Sequence, residues 1–196
     1  MDDLFPTSLQ PDAVDLDVLP HQATVFFAIY PSAEDLPRVT AWQRRICGRT
    51  GVALRPPRLL HVSVALCGTP RRLLQPLREA LRFVAERFTS SAFELTLDTA
   101  TGGFGKDGRA FVALADAAGA RAVHGLRVAL AEAQQHVGLV ATRGMSEAHL
   151  TLGYGDGLPA ERRSVEPLSF RVAAVDLVAS FEGRSEHRLL ERWPLR

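Results

Sequence analysis

His61-Val62-Ser63-Val64 and His149-Leu150-Thr151-Leu152 are two copies of one pattern: histidine, apolar, hydroxyl, apolar. Side chains alternate along a strand, so in each copy the histidine and the hydroxyl share one face and the two apolar residues share the other. The chain is therefore read as carrying two half-buried strands, each presenting an imidazole beside a hydroxyl. Composition alone yields such a pair of tetrads with a probability on the order of one in a hundred, so the repeat outweighs any single motif. The other histidines, His21, His124, His136 and His187, stand singly and read as surface or packing residues.

The segments around each tetrad supply the rest of the architecture. Thr24 to Tyr30 is β-rich and stops at Pro31. Ser32-x-x-Asp35 resembles a capping box, and Leu36, Val39, Ile46 and Gly48 outline a first helix and its end, with Trp42 facing a sheet. Leu59 to Leu66 carries the first tetrad as a strand. Thr69-Pro70 caps a second helix spaced by Leu73, Leu77, Ala80, Val84 and Phe88. Ala92 to Asp98 and Arg109 to Ala115 read as a hairpin joined by the glycine-rich stretch Thr101 to Gly108. Val123, Leu126, Leu130, Ala133 and Val137 mark a third helix ended by Gly138. Strands follow at Ala148 to Tyr154, Phe170 to Ser180 and Arg188 to Trp193, with a polar loop over 155–168. Helices are too few and hairpins too many for a doubly wound parallel sheet, which predicts an α+β protein with two similar halves meeting near residue 100.

A chain of 196 residues with 46% apolar and 23% charged residues buries a core of its own. A net charge of +1 excludes the strongly basic footprint of a protein that grips long nucleic acid through its phosphates, and leaves room for a local anion site. Lys106 is the one lysine; arginine carries the remaining positive charge. Cys47 and Cys67 lack zinc-type spacing and are too few for a disulfide framework, which favours a reducing compartment. The acidic, proline-containing residues 1–22 read as an arm, residues 23–196 as one domain, and the absence of an apolar run of membrane-spanning length predicts a cytoplasmic protein.

Paired imidazoles suit acid–base catalysis at phosphorus: one neutral ring activates the nucleophile while one protonated ring serves the leaving oxygen, on opposite sides of an in-line displacement. No metal or cofactor is needed. Ser63 and Thr151 then bond the non-bridging oxygens. Glu147 shares a face with His149, which leaves a metal-ligand pair or an orienting carboxylate as alternatives to a solvated strand start. Gly102 to Lys106 lacks the spacing of a nucleotide loop and reads as a flexible hairpin connection, with Phe104 at the cleft rim. Arg71 and Arg72 read as a solvated helix start.

At these tetrads the chain resembles the 2H phosphoesterase superfamily, in particular its bacterial 2′-5′ RNA ligase-like members, the RNA 2′,3′-cyclic phosphodiesterases. Beyond HVSVALCG and HLTLGYGDG, the likeness takes in VFFAIYP, ELTLDTATGGFGKDGRAFVAL and the closing ERWPL. It implies a bilobal, pseudo-symmetric fold of two mostly antiparallel sheets with outer helices and a central cleft. In family terms His61 is the proton donor and His149 accepts a proton from water, opening a 2′,3′-cyclic phosphate at an RNA end to a 2′-phosphate; the reverse direction forms a 2′-5′ linkage. A monomer acting on an RNA end or a small cyclic nucleotide is implied, with no membrane partner. Other substrates stay open, such as a 1″,2″-cyclic phosphate of ADP-ribose or a 2′-5′ oligoadenylate, as does a non-catalytic RNA-end binding module. Where those relatives commonly carry a basic residue after the second tetrad, this chain has Tyr154. Arg143 and Arg192 are then the candidate replacement cations, and Tyr154 becomes a candidate for stacking on a base.

Overall fold

The first tetrad enters β3 (Val62–Gly68) and the second lies on β6 (His149–Tyr154); these antiparallel strands meet at one residue pair, Val62 with Leu150. They belong to a computed structural model of the chain in which residues 23–48, 50–69, 75–87, 90–138, 147–181 and 184–195 are described. From β6 the sheet continues through β5 (Ala110–Ala115), β4 (Phe93–Phe104) and β7 (Arg163–Val172). From β3 it continues through β1 (Ala23–Ile29), β8 (Ala174–Phe181) and β9 (Glu186–Pro194), every neighbouring pair being antiparallel. A four-stranded sheet thus stands on each side of a seam one pair long. In both halves a helix leads from the neighbouring strand into the tetrad strand: α1 (Leu36–Cys47) between β1 and β3, and α3 (Ala117–His136) between β5 and β6. This is the α+β arrangement of similar halves that the repeat predicts.

Beyond the Val62–Leu150 pair the strands part, and the edges this exposes are covered. On β3, Arg127 of α3 donates from Nε to Val64 O (3.2 Å) and from Nη2 to Ser63 O (3.0 Å), while Gln134 Nε2 donates to Leu66 O at 3.3 Å. On β6, the short strand β2 (Ala53–Leu54) pairs with Tyr154 and Gly153, and Gln43 Nε2 of α1 donates to Leu152 O at 2.6 Å. Each carbonyl left without a partner there would cost about 1–3 kcal/mol, so these side chains make a splayed seam tenable.

Val62, Val64, Leu150 and Leu152 are buried in one core with Phe27, Ile29, Leu126 and Leu130. A one-residue slip of either tetrad strand would expose its apolar pair at about 1.5–3 kcal/mol per side chain and bury the imidazole instead. Hydrophobic burial on the helix side therefore fixes which way the histidines face.

The structure departs from the sequence expectations in four places. The polar segment 155–168 is a loop only as far as residue 162; β7 starts at Arg163, where Ala100 and Thr99 pair with Arg163 and Ser164. As an edge strand exposed over most of its first half, β7 lacks the alternation that betrays a half-buried strand. The expected strand Phe170–Ser180 is two strands broken at Ala173, where the chain passes from one half to the other without a turn residue. The third helix begins at Ala117, because Asp116 caps it by accepting from Gly119 N at 2.7 Å. Finally, β4 runs on through Gly102 and Gly103 to Phe104, so half of the expected flexible connection is strand. A Cβ on Gly102 would stand 2.6 Å from Leu158 Cβ, which is why this stretch must be glycine for 158–160 to pack on it. The second helix is α2 (Gln75–Arg87); its expected cap at Thr69-Pro70 and the positions Leu73 and Phe88 reach outside the described residues, as do Arg71, Arg72 and the arm 1–22.

Candidate active site

The pair Val62–Leu150 sets an antiparallel register in which His61 lies alongside Thr151, and Ser63 alongside His149. All four are part-exposed on the face away from the helices, while their apolar neighbours are buried. The fold therefore gathers both tetrads into one polar patch at the seam.

Each imidazole is anchored identically. His61 Nδ1 donates to Leu59 O at 2.7 Å, and His149 Nδ1 donates to Glu147 O at 2.7 Å, in both cases the carbonyl two residues back. A carbonyl only accepts, so Nδ1 carries the proton in both rings and Nε2 is left as the nitrogen for proton transfer. Ser63 Oγ lies 3.2 Å from His61 Nε2. It is the backbone of Glu147, not its carboxylate, that orients His149; the carboxylate pairs with Arg162 at 2.6 Å. Among the described residues no group of three metal-ligating side chains converges.

Three rings surround His61: Phe26 at 5.4 Å, Tyr30 at 5.5 Å and His187 at 4.9 Å between centroids. His187, which as a lone histidine carried no role in the sequence reading, is thus part of the site. It comes from β9, whose preceding turn is tied to the segment before His61 by Arg58 Nη2 donating to Ser185 O at 3.1 Å. Tyr30 Oη stands 2.6 Å from His187 Nδ1, and burial followed by the charge of Asp176 raises the phenol well above its ordinary pKa. The phenol therefore stays protonated and donates to His187. Burial and then Arg55 push His187 down to about 4. Burial is also the main cause that lowers His61 to about 3, opposed by its bond to Leu59 and reinforced by Arg55, His187 and His149. His149 is lowered by burial, opposed by its bond to Glu147 O, with Arg127 and Arg55 adding to the shift.

Arg55 was not singled out in the sequence. It follows β2, with Arg55 N donating to Leu152 O at 2.9 Å and Gln43 Nε2 donating to Arg55 O at 2.9 Å. Its Nε donates to Leu59 O at 2.9 Å, the same carbonyl that holds His61, and its Nη1 donates to Tyr154 Oη at 2.5 Å. β2 approaches β6 this closely because residue 153 is glycine: a Cβ there would stand 2.3 Å from Val52 Cγ1 and 2.4 Å from Ala53 O.

Of the other residues expected at the site, Phe104 packs its ring 4.6 Å from that of His149. Tyr154 is 42% exposed with its hydroxyl bonded to Arg55, so it is neither a packed core tyrosine nor an isolated stacking ring. Arg192 is corrected: Asp176, almost fully buried, takes its guanidinium through two bonds of 2.7 Å, so that charge is already neutralised on the β8–β9 pair. Arg143 lies outside the described residues.

Comparison with solved structures gives the same fold elsewhere. The apo form of E. coli LigT superposes with a TM-score of 0.68 at 23% identity, covering 90% of this chain and 99% of that one. E. coli LigT in complex with 3′-AMP gives 0.68 at 23% identity, covering 89% and 99%. The protein TT0787 of Thermus thermophilus gives 0.62 at 21% identity, covering 88% and 98%. No curated protein matches the sequence. The sequence profile of the 2′-5′ RNA ligase superfamily matches residues 30–184, a span that includes both histidine tetrads, β2 to β8 and all three helices. With that match spanning most of the chain, and with the paired tetrads meeting at the seam, the chain belongs to the 2′-5′ RNA ligase superfamily of 2H phosphoesterases.

Proposed function

We propose that the chain is a metal-independent RNA 2′,3′-cyclic phosphodiesterase, with His61 and His149 as its acid–base pair. The observation that carries this reading is the shared anchoring of the two rings, each locked by Nδ1 to the carbonyl two residues back, on a face that they share with Ser63 and Thr151. His149 Nε2 takes a proton from water as the water oxygen attacks phosphorus. The bond from phosphorus to the 3′ oxygen breaks, and His61 Nε2–H delivers its proton to that oxygen, leaving a 2′-phosphate and a 3′-hydroxyl. Ser63 and Thr151 bond the non-bridging oxygens while charge develops on them. With a 5′-hydroxyl in place of water as the nucleophile, the same groups form a 2′-5′ linkage.

With the site empty both imidazoles are neutral near pH 7, because each pKa is lowered. The donor is charged by the substrate: a phosphate diester anion beside His61 favours its protonated form. Once loaded, a low-pKa imidazole is a strong acid for an alkoxide leaving group.

Turnover of a 2′,3′-cyclic nucleotide, in the presence of a chelator and with identification of the product, tests this reading. A 2′-phosphate product from the unaltered chain, lost in His61→Ala and His149→Ala, supports it. Retained turnover in both variants would overturn it. Turnover confined to a 1″,2″-cyclic phosphate or a 2′-5′ oligoadenylate would move the activity to those substrates, and binding without hydrolysis would make the chain an RNA-end binding module.

A further inference from the structure

Three arginines around the tetrads are neutralised by carboxylates. Arg192 is paired with Asp176, Arg162 with Glu147 and Arg109 with Asp156, each through contacts of 2.6–2.8 Å. Arg55 is half-buried, and among the described residues no carboxylate lies within ion-pair distance of it. Its bonds go to two neutral oxygens, Leu59 O and Tyr154 Oη, and its guanidinium stands 5.8 Å from the Tyr154 ring centroid. Two neutral acceptors fix the fork in place without cancelling its charge, and Nη2 is left with no partner among the described residues. A half-buried cation held rigid and unneutralised is costly unless an anion completes it. The positive field of Arg55 reaches His61, His149 and His187, where it adds to the lowering, and Tyr30, where it opposes the rise, so the charge sits central to the patch rather than at its margin.

We propose that Arg55 is the phosphate-binding cation of this site, its guanidinium bonding the non-bridging oxygens of the phosphoryl group between His61 and His149, and that Tyr154 is the positioning residue that aims it. The inference rests on the acid–base reading above and adds the charge which that reading lacks. Strand β6 ends at Tyr154, whose hydroxyl accepts a guanidinium from the neighbouring strand segment. The cation is therefore delivered from residue 55, across the close contact at Gly153, rather than from β6 itself. The shared acceptor Leu59 O couples Arg55 to the ring that serves as donor, so cation and acid keep one geometry.

The test is binding of inorganic phosphate to the full chain, with turnover of a 2′,3′-cyclic nucleotide measured alongside. Arg55→Ala is expected to weaken phosphate binding by about 10- to 100-fold, the range for loss of hydrogen bonds to a charged group. Arg55→Lys should recover part of that loss, since it returns a point charge without the fork. Tyr154→Phe should weaken binding several-fold in the unaltered chain and have no effect in the Arg55→Ala background, because its role runs through Arg55. Phosphate affinity within about twofold of the unaltered chain in Arg55→Ala, with thermal unfolding unchanged, would overturn the proposal, as would an undiminished effect of Tyr154→Phe in that background. If phosphate binding falls as expected while the unaltered chain turns over no cyclic ester, the anion site stands and the acid–base reading fails. If the ester is turned over equally by Arg55→Ala, the acid–base reading stands and the role of Arg55 fails.

Discussion

Among the described residues Phe26, Tyr30 and His187 pack around His61, whereas Phe104 packs on His149, which stands beside the Glu147–Arg162 ion pair. The repeat itself treats the two alike, since register, burial of the flanking apolar residues and the Nδ1 anchor are the same on β3 and β6. The shared local geometry thus decides which nitrogen the backbone holds. Side chains that are not repeated, Phe26, Tyr30 and His187 on one side and Phe104 on the other, make the two surroundings different. Burial lowers both imidazoles, and the groups that reinforce or oppose it differ between the two.

The largest effect that tests this division of labour is loss of either ring. His61→Ala and His149→Ala are each expected to lower turnover of a cyclic substrate by about 10²–10⁴-fold while the thermal transition stays in place, as measured by steady-state kinetics and calorimetry. The two losses should not add, because acid and base act in one step. Next comes the seam. Gly153→Ala pushes a Cβ into Val52 and Ala53 O, so β2 must move away from β6 and carry Arg55 with it. The expected cost is about 1–3 kcal/mol of stability by denaturant unfolding, with a loss of phosphate affinity that Gly125→Ala, at a helical glycine with nothing within 4 Å of its Cβ position, does not share.

The pH dependence should sharpen the contrast between empty and filled sites. The folded pKa of His61, about 3, lies below that of an unfolded histidine near 6.5, so between those values the unfolded chain binds a proton that the folded chain does not. Stability is then fully present above about pH 6.5 and falls as the pH drops toward 3, by up to about 1.4 kcal/mol per pH unit from this group, with His187 acting in the same direction. For kinetics, kcat/KM reports the empty site and should decline with rising pH already below neutrality, while kcat, which reports the filled site, holds to higher pH. A kcat/KM flat from about pH 6 to 8 would contradict this order. The smallest expected effect is that of Tyr30→Phe, which removes the donor to His187 Nδ1 and allows His187 to take up a proton beside His61. A few-fold drop in turnover at low pH, absent at high pH, is the expected signature.

Much of this was legible in the sequence because burial enforces it. Period-two alternation at Val62, Val64, Leu150 and Leu152 is a statement about a core, and the facing of His61 and His149 follows from it. The first half of β7 was not legible, since Arg163, Ser164, Glu166 and Pro167 form an exposed edge that buries little. Nor was the break at Ala173, where β-forming residues run on without a turn while the partner strands change. His187 and Arg55 were missed for a different reason: each reaches the site by packing of a segment whose own pattern says nothing of its destination. Arg55 precedes Pro56, which is extended and leads into a 3₁₀ turn over Pro57–Leu59 just before His61.

The central claim is that one phosphoryl group is held between two imidazoles through their Nε2 atoms, and it is tested most directly by following the histidine ring nitrogens by NMR during a titration with inorganic phosphate. The account predicts that the Nε2 signals of His61 and His149 shift together with a single dissociation constant, that His61 gains a proton as phosphate binds, and that both Nδ1 protons stay bonded to Leu59 and Glu147. Movement of one ring without the other, or of neither at phosphate concentrations that saturate the chain, would contradict it.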